Sequence, residues 1–96
     1  MASVVLAPTA VADLERLIRT HSLPATTRER ARSSLRQLAT FPLLGAPLSG
    51  RWQGFRFILG AWPWVLLVYV YHPEVDQVSV VTIQDSRSAE SVTSQT

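Results

Sequence analysis

The stretch Phe57–Tyr71 reads FILGAWPWVLLVYVY, and fifteen residues pass in it without a charge. Two structures could hold such a run: a membrane-spanning segment or the centre of a water-excluded core. A spanning helix needs about 20 consecutive apolar residues, and Gly60 and Pro63 interrupt this shorter run. Ahead of the break, Phe55, Phe57 and Leu59 alternate with Gly54, Arg56 and Ile58, the period of a strand with two different faces. Behind it, Trp64 to Tyr71 is apolar at odd and even positions alike, which suits a central strand covered on both sides. The run therefore predicts a β-hairpin in a core, with Gly60-Ala61-Trp62-Pro63 as its turn. No membrane partner is expected.

The flanks extend the pattern. His72 to Gln77 forms a second turn, built on Pro73 and Asp76. Val78 to Gln84, rich in Val, Thr and Ile, is a further strand. Upstream, Pro42 to Gly50 holds the prolines and glycines of a loop, and the strand after it is expected from Trp52 to Leu59. Before that loop lie two helices. In the first, opened by Pro8 and Thr9, Val11, Leu14, Leu17 and Ile18 share a face, and Glu15 and Arg19 stand at i,i+4 on the wet side. The second starts at a capping box, Thr26-Thr27-Arg28-Glu29, buries Ala31, Leu35, Leu38 and Ala39, and stops at Phe41-Pro42. Ser3 to Leu6 is a short strand ahead of both. The order β-α-α-β-β-β predicts an α+β fold: a helical hairpin packed on a mainly antiparallel four-stranded sheet. The first strand could join an edge or insert beside a later one. Residues 1–96 form one domain, with 88–96 expected to be a flexible tail.

Composition removes several kinds of chemistry. The chain has no cysteine, so disulfides, thiolate metal sites and thiol nucleophiles are excluded, and a cytoplasmic setting fits. The first residues lack a positive segment and carry Asp13 and Glu15, unlike a signal peptide. There is no GxGxxG, P-loop, HExxH or GxSxG motif. The seven acids are scattered. His21 and His72 have no second ligand at a useful spacing, so neither metal nor cofactor is expected. His21 reads as a residue facing a helix C-terminus.

Arginine placement carries what chemistry remains, since all nine basic residues are Arg. Each is a planar fork suited to phosphate or carboxylate, and none can serve as a lysine base. Arg28, Arg32 and Arg36 stand at i,i+4,i+8 beside the apolar face of the second helix. Such a stripe is either a solvated face or a cationic groove for an acidic partner or phosphate chain. Arg51 and Arg56 flank the start of the hairpin, and Arg87 follows the last strand.

These pieces resemble, in order and spacing, the RelE/ParE toxins of bacterial type II toxin–antitoxin systems. The resemblance runs from Val4 to Arg87. It rests on Ala12-Asp13-Leu14, Leu38-Ala39-Thr40-Phe41-Pro42 with Gly45, Leu48-Ser49-Gly50, Gly54-Phe55-Arg56-Phe57, Leu66 to Tyr71, Val80-Val81-Thr82-Ile83 and Asp85-Ser86-Arg87. It implies a small toxin that arrests growth and is neutralised by a cognate antitoxin. RelE-like members enter the ribosome and cleave mRNA without metal, with basic residues on the phosphate. ParE-like members inhibit DNA gyrase and are not nucleases. On the first reading the resemblance assigns catalysis to Arg56 and Arg87, with Asp85 as the nearest base, and leaves Arg28, Arg32, Arg36 and Arg51 for RNA or a partner protein. The chain departs from the nucleases in four places, the first being that no histidine or other base stands beside Arg87 in the sequence, where Asp85 is nearest. Val65 or Leu66 stands where they carry an arginine in the middle strand. Their lysines are absent, and so is the tyrosine some of them have near the C-terminus.

Overall fold

The computed structural model describes residues 1–88 and 91–93. The elements follow in the order β1 (Ser3–Leu6), α1 (Pro8–Thr20), α2 (Thr27–Thr40), β2 (Ala46–Pro47), β3 (Arg56–Leu59), β4 (Val65–His72) and β5 (Gln77–Asp85). They form one sheet in the order β1-β5-β4-β3-β2, and β1–β5 is its parallel pair. The sheet thus has five strands where four were expected. The extra strand, β2, is a two-residue pairing of Ala46 and Pro47 with Phe57 and Arg56, too short to leave a period in the sequence. The first strand takes an edge, beside β5.

β4 is the central strand, and its burial shows why the hairpin reading holds. Val65, Leu66, Leu67, Val68 and Tyr69 are all buried. Val65, Leu67 and Tyr69 join the core under the helices with Leu14, Leu35, Leu38 and Ile58. Leu66 and Val68 join a second cluster with Phe55, Phe57, Trp52, Val81 and Val92. Burying side chains such as Leu35 and Leu38 contributes about 1.5–3 kcal/mol each. Val92 belongs to the segment expected to be a tail. Its N–H donates to Gln84 Oε1 at 2.9 Å, and both Ser91 and Val92 are buried. That part of the segment is therefore packed, because the apolar second face of the sheet needs a cover; residues 89, 90 and 94–96 lie outside the described residues.

A β-bulge sets the lower half of β5. Val68 pairs with Thr82 and Tyr69 with Val80, so Val81 is skipped. Val78 and Val80 face the helices before the bulge, and Ile83 faces them after it, while Val81 turns to the second cluster. β1 ends opposite Val80, which leaves Ile83 N–H without a strand partner. Asp13 of α1 replaces it: Oδ2 accepts from Ile83 N at 3.2 Å and from Thr82 Oγ1 at 2.6 Å. Oδ1 accepts from Arg16 Nη2 at 2.7 Å.

Two local expectations are corrected. The capping box does not form: Thr26 makes no side-chain cap bond, and Glu29 accepts from Arg32 instead. Thr27 is fully buried, and its Oγ1 accepts from Trp62 Nε1 at 3.1 Å, so packing against the hairpin turn fixes this end of α2. The strand expected from Trp52 starts at Arg56, because Gly50–Trp52 coils into a 3₁₀ turn and Gly54 adopts φ +95°.

Candidate functional site

Arg56 opens β3 and turns toward the loop that precedes it. Its Nη1 donates to Gly45 O at 2.7 Å and to Leu43 O at 3.4 Å. Beside it, Gly45 N–H donates to the hydroxyl of the buried Tyr69 at 2.9 Å. Burial pushes the Tyr69 pKa up, partly offset by the Gly45 N–H and the charge of Arg56. Only glycine fits at 45, since a Cβ there would stand 2.6 Å from Phe57 O and 2.8 Å from Tyr69 Oη. Arg56, Gly45 and Tyr69 thus clamp the loop onto the sheet.

Arg87 lies at the other end of the strands. Arg56 pairs with Tyr69, whereas Asp85 pairs with Val65. Four residues along β4 amount to roughly 13 Å. The two guanidiniums start from different ends of the strands, and each is turned to its own internal partner.

What Arg87 does meet is a compact polar group. Its Nε and Nη2 reach Asp85 Oδ1 and Oδ2 at 2.9 and 3.0 Å, and its backbone N–H donates to Oδ1 at 2.9 Å. These bonds hold the Asp85 carboxyl below the usual carboxylate range and raise the Arg87 guanidinium above its own. The guanidinium also stacks 4.1 Å over the Trp64 ring. The His21 ring meets Trp64 edge-on at 5.0 Å, with Nε2 3.6 Å from Asp85 Oδ2. His21 does end α1, donating its N–H to Leu17 O at 3.0 Å, as expected of a C-terminal residue. Its place beside Asp85 and Arg87 was not legible, because it requires the end of α1, the start of β4 and the end of β5 to meet. Trp64 was likewise read only as a strand residue.

The α2 stripe is present but unevenly occupied. Arg28 Nε donates to Glu15 Oε1 at 2.7 Å, and Nη2 bonds the other oxygen. That bond holds the Glu15 carboxyl below its ordinary range. The ion pair joins α1 to α2 and takes Glu15 away from Arg19. Arg32 has one long contact, 3.3 Å to Glu29, and no bond or ion pair engages Arg36 among the described residues. Like charges at i,i+4 cost an isolated helix about 0.2–0.5 kcal/mol per pair. Arg51, on the 3₁₀ turn, is exposed.

The position where the resemblance calls for an arginine is apolar: Val65 and Leu66 are each 1% exposed. Among the described residues, no three His, Asp or Glu side chains group as metal ligands, and no helix is long and apolar enough to cross a membrane.

No family model and no curated protein matches the sequence. Solved structures do match the fold. The toxin–antitoxin complex RelBE2 from Mycobacterium tuberculosis aligns with a TM-score of 0.67 at 23% identity, over 88% of this chain and 96% of that one. The YoeB/ParE toxin from Agrobacterium tumefaciens aligns at 0.68 with 20% identity, over 86% and 96%. YafQ from E. coli aligns at 0.62 with 13% identity, over 95% of this chain and all of that one. The chain therefore has the α+β fold of these RelE- and YoeB-like toxins.

Proposed function

We propose that the chain is the growth-arresting toxin of a type II toxin–antitoxin pair, and that it acts by binding its target, in the ParE-like manner, with DNA gyrase as the target to test first. The fold shared with a toxin–antitoxin complex and with a YoeB/ParE toxin supports the toxin role and a cognate antitoxin partner. Gyrase and ribosome alike imply action in the cytoplasm.

One observation carries the choice of binding over cleavage: Arg56 and Arg87 are committed to separate internal partners at opposite ends of the strands. Cleaving a phosphodiester through its 2′-hydroxyl needs a base, an acid and cations around one phosphate. Arg56 is turned to carbonyl oxygens, and Arg87 is neutralised by Asp85. The test is supercoiling by purified gyrase in the presence of the purified chain. Loss of supercoiling is expected; full activity at doses that arrest growth would overturn the gyrase assignment.

A second reading, ribosome-dependent mRNA cleavage, is favoured by the cluster at Arg87. His21 could take or give a proton there, beside Asp85 and a cation. On that reading His21→Gln abolishes cleavage within codons while leaving the fold intact.

A further inference from the structure

The turn between β3 and β4 carries the same arrangement twice. Arg30 of α2 lays its guanidinium 4.0 Å over the Trp62 ring, and Arg87 lays its own 4.1 Å over Trp64. The two tryptophans are two residues apart, at most about 7 Å between Cα atoms. Pro63 stands between them in the chain and is exposed, while both indoles are half-buried. The turn is held firmly. Trp62 Nε1 donates to Thr27 Oγ1 at 3.1 Å, Gly60 N–H to Val65 O at 3.1 Å and Val65 N–H to Trp62 O at 3.0 Å.

The two stacks differ in charge. Asp85 neutralises Arg87. Arg30 uses only its Nε, which donates to Ala61 O at 2.7 Å, and no carboxylate pairs with it among the described residues. It borders a recess of about 340 Å³ between α2 and the turn, lined also by Thr26, Glu29, Ser33 and Ser34. Glu29, the carboxylate of the recess, already accepts from Arg32 at 3.3 Å. An arginine fixed by a ring and a carbonyl loses little further freedom when it grips a carboxylate in two-point fashion. Nucleic acid suits this surface poorly. Its hold grows with the number of phosphates neutralised, and the turn offers one unmatched cation. Rigid Trp and Arg side chains around an exposed turn are instead the composition found at the energetic centre of protein–protein contacts.

We propose that this turn, with the Arg30 recess beside it, is the surface that grips the protein the chain inhibits. A carboxylate of that protein pairs with Arg30, and an apolar side chain rests on Pro63. The proposal deepens the reading of the chain as a gyrase-binding toxin and rests on it.

The test measures affinity of the purified chain for purified gyrase, with and without DNA. Arg30→Glu and Pro63→Asp should each weaken binding about tenfold or more, the scale of a residue at such a centre. Glu29→Gln, which removes the competing carboxylate, should tighten binding about two- to fivefold, the fold-change of one exposed charge contact. Thermal melting checks that the variants fold, and Pro63→Asp, at an exposed position, serves if Arg30→Glu does not. Parent-like affinity in a folded Pro63→Asp or Arg30→Glu would overturn the proposal and leave the gyrase reading standing. A parent chain that does not bind gyrase would overturn both. Binding to DNA alone that is lost in Arg30→Glu would assign the turn to nucleic acid and overturn the proposal.

Discussion

Asp13→Ala gives the sharpest test of how the fold is held. Asp13 is 6% exposed and serves as the stand-in for a strand partner that β5 lacks beyond Val80. Removing it strips the acceptor from Ile83 N–H and Thr82 Oγ1 together. Leaving a buried donor unsatisfied costs about 1–3 kcal/mol. Ile83 N–H cannot turn away, whereas the Thr82 hydroxyl can rotate toward another acceptor, so the sum should be about 2–4 kcal/mol. The Arg16 contact adds little, since Arg16 is largely exposed. For a domain of this size each kcal/mol lowers the melting temperature by about 4–8 °C, so a fall of roughly 10–25 °C is expected. Asp13→Asn, which keeps one acceptor oxygen, should lose about half as much. Calorimetry or circular dichroism reads both. A melting temperature for Asp13→Ala within about 3 °C of the parent's would refute this assignment, because it corresponds to well under 1 kcal/mol.

Four further outcomes follow from the other contacts of the fold and the site. Tyr69→Phe leaves Gly45 N–H without its acceptor and should cost about 1–3 kcal/mol in urea unfolding; Gly45→Ala should cost at least as much, since Phe57 O is backbone and cannot yield. Arg56→Gln should loosen the Pro42–Gly50 loop, seen as faster hydrogen exchange at Gly45, while the folded fraction keeps its toxicity. Asp85 has a depressed folded pKa, so its stabilisation is present above the unfolded carboxylate value near 4 and is lost as pH falls through the lower folded value. The urea midpoint of Asp85→Asn should therefore fall less than the parent's when pH is lowered from about 5 to 3; an equal fall would contradict the Arg87–Asp85 pairing.

Much of the architecture was readable from period and punctuation. The double-sided burial of β4 and the turn at Gly60 to Pro63 come directly from residues that offer no other covered arrangement. Readings failed where a tertiary partner overrode a local rule. Thr26 and Glu29 have the spacing of a capping box, yet the indole of Trp62 claims Thr27 and places the helix end by packing. Trp52 to Leu59 alternates like a strand, but Gly50 and Gly54 take positive φ and coil its first half. Asp13 looked like one of several scattered acids, since its purpose depends on where β1 stops. The candidate site was less legible still. Arg56 and Arg87 stand out in the sequence as cations, but only the strand register shows that they lie at opposite ends, and only the meeting of three elements brings His21 to Asp85.

On the proposed reading the chain arrests growth by binding its target and leaves RNA uncut. Inducing it alone in a bacterial host and mapping the 5′ ends of transcripts through the arrest tests this most directly. Growth should stop with transcripts intact. New ends within codons, lost in Arg87→Ala or His21→Gln, would instead establish cleavage at the Arg87 cluster.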